Sequence, residues 1–480
     1  MALAQSDPYV TNHNLRGVVP FGSFQVDAID AVNLATGGLE VNIPLFERAG
    51  RGLGYSPVLS YSSKIWKGDV LETGPPSNPM PQLHMRLTSE GPRSFQVRGV
   101  FGSLSFREDF HLFPDQPVVQ PQPVSLRVRS NFTYRSPSGA TFRFPNRVTE
   151  AMGPQETIAM NCPSILPENG GANFSYAEGP SDSGSLLLET PPGEEYWITF
   201  KDGSRELVFA DGGVVRRRTD TNGNRVEGNT DTLGRSYPTS CSFGNCSMTF
   251  HDSDGQLRSF NWQFVNALIG PQFSTQPCQG NPVFSPSASL DFTTRLILPN
   301  GGLEYVFEYD LSFGELTRIH LPAGGYIRFQ WQTFEQFDQP PGNWPCRLPS
   351  RRVVERAVSE AGTAASEKVW TYSYSFTPPP NASYTTTVTH PEGNVSVHLF
   401  DPDGIHELES EQREAGGTVL QRVTNSWQKD AGPVASPNLV SDSLDDLESG
   451  LRNWRITETL TALLPADQVS RRNRSRWTAT

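Results

Sequence analysis

Any chemistry this chain performs must come from eight histidines, five cysteines and 51 acidic side chains. Nucleophilic serine, zinc-protease and phosphate-cradling sites each need a local pattern. G-x-S-x-G, H-E-x-x-H and a Walker loop are all missing from the sequence. Gly50-Arg51-Gly52-Leu53-Gly54 is glycine-rich but has no strand–turn–helix context, so no phosphate site is expected there. The histidines (His13, His84, His111, His251, His320, His390, His398, His406) are scattered, and only His390 and His398 are placed to approach each other across a hairpin. Their plainer reading is one turn histidine and one strand-face histidine.

Asp220-x-Asn222-x-Asn224 and Asp252-x-Asp254-Gly255 carry oxygen ligands at the spacing of a calcium loop. The first lacks the glycine at position six, and neither has the distal Glu. The expectation is that Asp, Asn and Gly shape the turns themselves. Trp66, Trp197, Trp262, Trp331, Trp344 and Trp370 offer aromatic faces for sugar rings, against a plainer role in packing. Glycoside hydrolysis needs two carboxylates at a set separation, and no pair stands out. Among Cys162, Cys241, Cys246, Cys278 and Cys346, the close pair Cys241 and Cys246 suits a hairpin disulfide, and unrelated thiols are the alternative. No C-x-x-C occurs, and an odd count leaves at least one thiol unpaired. The sequence thus predicts no catalytic, cofactor-binding or metal-ligating residue.

The elements that would position these residues are strands. Leu39, Val41, Ile43 and Leu45 alternate with polar neighbours. Leu303, Tyr305, Phe307 and Tyr309 alternate with Glu304, Val306 and Glu308, and Ile327, Phe329 and Trp331 with Arg328 and Gln330. Period 2 sends one set to a packed face. Glycine turns separate the runs, and Gly203, Gly223, Gly301, Gly324 and Gly393 are the structural turn residues, because glycine adopts φ > 0. Leu298-Pro299-Asn300-Gly301 and Leu321-Pro322-Ala323-Gly324 begin successive units with a period of about 23 residues. Each is followed by an aromatic strand. Weaker copies lie at 197–209, around Asp254-Gly255 and at 388–400. This predicts an all-β fold of stacked antiparallel hairpins, able to end openly, with Tyr305, Phe307, Tyr309, Phe329 and Trp331 as repeat aromatics.

Composition agrees. Gly 42, Pro 40 and a 10% aromatic content describe a folded, turn-rich protein and exclude both disorder and a long coiled coil. A net charge of −12 argues against a nucleic-acid partner, and no apolar run is long enough for a membrane helix. The N-terminus Met1-Ala2-Leu3-Ala4 has the small-x-small form that precedes a signal cleavage site. Residues 1–16 read as a flexible start and 17–135 as a β region preceding the repeats. Residues 136–430 read as the hairpin repeats with inserted loops. The stretches 68–82, 112–124, 162–194 and 334–350 read as loops or irregular segments. In 431–480, Leu444, Leu447, Leu451 and Trp454 fall at helical spacing, so the tail reads as partly helical or frayed.

Three series of residues carry a family resemblance. Val32-Asn33-Leu34-Ala35-Thr36-Gly37-Gly38-Leu39 leads through Ile43-Pro44-Leu45 to Leu59-Ser60-Tyr61-Ser62-Ser63. Asp202-Gly203-Ser204, Thr219-Asp220-Thr221-Asn222-Gly223-Asn224 and Asp231-Thr232-Leu233-Gly234-Arg235 follow. Leu316-Thr317-Arg318-Ile319-His320-Leu321-Pro322 and Val388-Thr389-His390-Pro391-Glu392-Gly393-Asn394 complete the set. Over roughly residues 17–430 the chain resembles the N-terminal part of bacterial Rhs (rearrangement hotspot) or YD-repeat proteins. The resemblance implies a β-spiral shell, secreted or at the cell surface, that encloses a toxin segment or mediates cell contact. It implies a shell portion without the family's core and toxin regions, with no cofactor. The implied partners are other segments of such a shell or toxin polypeptide, or cell-surface glycans. A carbohydrate-binding propeller or lectin-like array is the alternative, and a hydrolase using unrecognised carboxylates a more remote one.

Overall fold

The computed structural model describes residues 24–26, 29–73, 80–87, 94–98, 101–113, 124–135, 141–144, 148–152, 173–176, 187–190, 195–200, 203–209, 217–273, 287–299, 301–338, 346–377, 383–401, 406–429, 454–463 and 468–474. They form 32 strands, β1 (Phe24–Val26) to β32 (Gln468–Arg474). One short 3-10 turn, Ala364–Ser366, is the only helical element among the described residues. The fold is all-β and antiparallel, and its sheets are open.

An opening sheet joins β1, β2 (Asp30–Asn33), β3 (Leu39–Pro44), β4 (Val58–Ser62) and β7 (Phe95–Arg98). β5 (Trp66–Thr73) and β6 (Met80–Leu87) form a separate hairpin. β8 (Ser103–Phe113), β9 (Val124–Arg135), β10 (Thr141–Phe144) and β11 (Val148–Met152) form a sheet around β9. Then consecutive hairpins take over. Six strands, β12 (Asn173–Tyr176) to β17 (Arg225–Glu227), pair in chain order.

Fifteen more follow in one sheet, again in strict chain order. They begin with β18 (Thr239–Ser242), β19 (Asn245–His251), β20 (Leu257–Ile269), β21 (Ala288–Ile297) and β22 (Glu304–Asp310). Next come β23 (Glu315–His320), β24 (Tyr326–Asp338), β25 (Cys346–Ser359), β26 (Glu367–Thr377) and β27 (Ser383–Thr389). The last are β28 (Val395–Phe400), β29 (Glu407–Arg413), β30 (Val419–Lys429), β31 (Trp454–Leu463) and β32. Most of the connections are short turns, which leave a strand no other partner within reach, and the longer ones between β20 and β21 and between β30 and β31 keep the same order.

One turn recurs, at 200–204, 220–224, 231–235, 252–256, 321–325, 390–394 and 414–418. In each, the fourth residue's N–H donates to the first carbonyl and the first N–H donates to the fifth carbonyl, at 2.8–3.1 Å. The fourth residue is always glycine, with φ between 74° and 89°. This is a type I turn closed by a left-handed residue, which L side chains resist. Gly203, Gly223, Gly324 and Gly393 occupy that position. Gly301 sits in a longer turn closed by Leu298 N–H to the Leu303 carbonyl, where Gly302 is left-handed as well.

Several segments read as loops are strands. Residues 68–82 lie largely in β5 and β6, and 162–194 contain β12 and β13 (Leu187–Thr190). β8 and β9 reach into 112–124 at either end, and β24 and β25 into 334–350. Prolines misled the reading. Pro81 lies in a two-stranded hairpin, and Pro349 pairs with Glu335 where β25 has no ladder on its other side. A proline's missing N–H costs nothing on such an edge. The tail is corrected too: Trp454, expected on a helix, begins β31, while Leu444, Leu447 and Leu451 lie outside the described residues.

A continuous apolar core joins the opening sheet (Val32, Leu39, Val41, Ile43, Leu59, Tyr61, Phe95) to the long one (Met248, Phe260, Leu296, Phe307, Phe329, Val388, Phe400). Regions 17–135 and 136–430 therefore share a core. Phe307 and Phe329 are buried in it, and Tyr305, Tyr309 and Trp331 pack partly buried against it.

Candidate functional site

The densest chemistry lies where the opening sheet meets β25. The β25–β26 ladder runs only from Glu355↔Thr371 to Ser359↔Glu367, so among the described residues no strand pairs with β25 on that side before Glu355. An unpaired buried backbone group is expensive. The opening sheet and a side chain fill the gap: Val353 N–H donates to the Gly37 carbonyl at 2.9 Å, and Tyr374 Oη donates to the Val353 carbonyl at 2.7 Å. Gly37 lies so close that a Cβ there would stand 2.5 Å from Arg352 Cβ.

Charged groups lock this seam. Arg356 donates through Nε and one terminal nitrogen to the two oxygens of Asp30, at 2.6 and 2.9 Å, and both residues are 2% exposed. The guanidinium also lies 4.7 Å from the Trp370 ring. Arg351 forks onto buried Glu315 at 2.8 and 2.7 Å, yet burial still pushes the Glu315 carboxyl up. Lys64 keeps some exposure as a residue, but its ammonium turns inward and donates to the Thr36 and Arg351 carbonyls, both at 3.0 Å. Burial, helped by the Arg352 charge, lowers its pKa to about 7. The set binds two sheets together and presents no open face to a substrate.

A second cluster brings together the two histidines that sequence placed across a hairpin. His398 Nδ1 stands 2.5 Å from Glu407 Oε1, and its Nε2 stands 3.1 Å from Ser396 Oγ. His390 Nε2 approaches the same hydroxyl at 3.4 Å. A carboxylate only accepts, so Nδ1 carries the proton and the Nε2 of a neutral His398 accepts from Ser396. The hydroxyl has then spent its proton and accepts from His390 N–H. Burial and the neighbouring His398 hold the His390 pKa below the usual imidazole value, with Glu392 opposing. The chain serine–histidine–glutamate has the order of a hydrolytic triad, but two requirements fail. Ser396 is 2% exposed, and β28 is paired on both sides, which leaves no N–H to stabilise an oxyanion. The arrangement is a partly buried hydrogen-bond relay across β28 and β29.

Other expectations have definite outcomes. Asp220 Oδ1 accepts the Asn222 and Asn224 N–H groups, and Asp252 Oδ1 accepts those of Asp254 and Gln256. The Asn224 amide holds the Asp220 carboxyl below its ordinary range, and Arg258 does the same for Asp252. These carboxylates serve their turns, and no metal-holding group of three acidic, His or Cys ligands occurs among the described residues. Trp66, Trp262, Trp331 and Trp370 pack inward; Trp66 Nε1 donates to the Phe313 carbonyl and Trp331 Nε1 to that of Leu316, both at 2.8 Å. Trp197 carries Arg205 on its ring, and Trp344 lies outside the described residues. Cys241 and Cys246 are bonded to each other.

Sequence reading missed Asp30, Lys64, Arg356, Ser396 and Glu407. Only Asp30 gave a signal, a charge opening the strand that carries Val32 into the apolar core. No helix among the described residues is long and apolar enough to cross a membrane. No protein-family model matches the chain, and no curated protein matches it.

Proposed function

We propose that the chain is a non-catalytic β-scaffold, a wall segment of an Rhs-like shell that encloses a toxin segment or makes contact with another cell. One observation carries the reading: fifteen consecutive strands pair in strict chain order within one sheet, punctuated by a recurring glycine turn. A sheet of that length built only from neighbouring hairpins is suited to wrapping around contents, since sheet twist accumulates from strand to strand. The polar clusters are used up in holding the wall together. A disulfide between Cys241 and Cys246 fits a secreted or surface location, because such bonds persist in oxidising compartments.

A glycan-binding array is less favoured. Its tryptophans would need open faces, and four of them pack inward. Propeller blades are sheets of about four strands, against fifteen in sequence here. The test is small-angle scattering with electron microscopy of the purified chain. A curved wall with a concave face is expected. A compact disc, or glycan-array binding lost on Trp197→Ala, would refute the proposal.

A further inference from the structure

The long sheet begins with a covalently closed tip. β18 and β19 are joined by two residues, Phe243 and Gly244, and the flanking Cys241 and Cys246 are bonded. Both loop residues have positive φ, 26° and 81°. Two-residue turns of this hand favour Asn, Asp or Gly at the first position. Phe243 is the only non-glycine residue with positive φ among the described residues, and it is 105% exposed. A large aromatic is thus held away from the body, at a site that disfavours it, on a stapled support. Backbone outliers of this kind point to function.

At the other end of the same hairpin lies a groove of about 410 Å³. Phe250, Phe260, Leu298, Pro299 and Tyr305 line it, together with Arg258 and Asp252, which are ion-paired at 2.8 Å. A cavity of about 150 Å³ holds a benzene ring, so a phenylalanine side chain with its backbone fits. The Tyr305 hydroxyl has no hydrogen-bond partner among the described residues, and the aromatic faces of Phe250, Phe260 and Tyr305 suit a ring. Phe243 in the turn and Phe250 near the far end of β19 are seven residues apart, roughly 23 Å at the strand rise, so knob and groove sit at opposite ends of the hairpin.

We propose that Phe243 of one copy seats in this groove of the next, giving head-to-tail association of the wall segment. A contact between different surfaces leaves a free knob at one end of the assembly and a free groove at the other, so it grows instead of closing at a dimer.

The test is sedimentation velocity over a roughly hundred-fold concentration range. Wild type is expected to gain mass past the dimer. Phe243→Asn removes the knob and supplies a favoured turn residue, so it should melt no lower than wild type. Its association should weaken roughly 30-fold or more, the usual cost of losing an aromatic anchor. Pro299→Arg fills the groove and should do the same, with near-ultraviolet circular dichroism confirming its fold. An equal mixture of the two variants should stop at a heterodimer. The proposal is overturned by a wild type that stays monomeric or stops at a dimer. It is equally overturned by Phe243→Asn associating like wild type, or by a mixture that grows.

Discussion

Gly324 and Gly325 are adjacent, both left-handed, and differ in surroundings, which makes them a controlled pair. At Gly324, φ is 89° and a Cβ would meet nothing within 4 Å. At Gly325, φ is 80° and a Cβ would stand 2.4 Å from the Ser359 carbonyl oxygen and 2.9 Å from that of Glu360. An L residue in this region costs about 1–2 kcal/mol. Gly324→Ala should cost that alone. Gly325→Ala adds a clash with two backbone atoms at the end of β25, where Ser359 pairs with Tyr326. The ladder end must shift, for a total on the order of 3 kcal/mol or more. The assay is amide hydrogen exchange over 315–331, which reports the hairpin locally. Protection should fall roughly ten-fold for Gly324→Ala and more than 100-fold for Gly325→Ala. Gly324→Val should exceed Gly324→Ala, because a β-branched side chain resists positive φ further. Equal losses at the two positions, or a larger loss for Gly324→Ala, would refute the turn geometry.

Three further perturbations have defined outcomes. Asp30→Asn leaves Arg356 buried without its charge partner and should lower stability by about 3–5 kcal/mol, read as a lower urea midpoint; a midpoint within error of wild type would remove Asp30 from the seam. Lys64, with its folded pKa near 7 and an ordinary value of 10.5, binds fewer protons folded than unfolded between those values. Stability should therefore rise from pH 7 toward pH 10, by at most about 5 kcal/mol and by less given its partial exposure. Lys64→Met should flatten the slope of urea midpoint against pH over 7–9.5, below the range where buried tyrosines begin to oppose it; an unchanged slope assigns it elsewhere. Replacing both Cys241 and Cys246 with Ala should cost the tip about 2 kcal/mol, since the closed loop is short, and raise exchange at 239–248 while β21 onward stays protected.

The strands and turns were legible because alternation and left-handed glycines are local. Phe307, Phe329, Gly203 and Gly393 announce themselves within a few residues of chain. Prolines hid strand length, since whether Pro349 costs a hydrogen bond depends on a neighbour that local sequence does not name. The polar clusters were hidden for a stronger reason. Asp30 and Arg356 meet across 326 positions, and Lys64 and Arg351 across 287. His390 and His398 could be paired on paper because one hairpin joins them, but Glu407, on the next strand, could not be added without the register of β28 on β29.

These long-range contacts change what kind of repeat protein this is. In a simple array each unit touches only its neighbours, and stability is a sum of local terms. Here the opening sheet touches many repeats at once. Arg48 donates to the His251 carbonyl, the Thr293 N–H to Ser94, the Leu316 N–H to Tyr61, Arg356 to Asp30, and Thr386 to the Leu34 carbonyl. Those contacts reach β19, β21, β23, β25 and β27, so every second strand, one in each successive hairpin, is tied to one common block. A hairpin cannot open without straining an attachment to the block that its neighbours also share. The sheet should therefore unfold cooperatively from β19 to β27. The strands beyond that span, β29 to β32, should behave as the nearest-neighbour array that the sequence period alone describes.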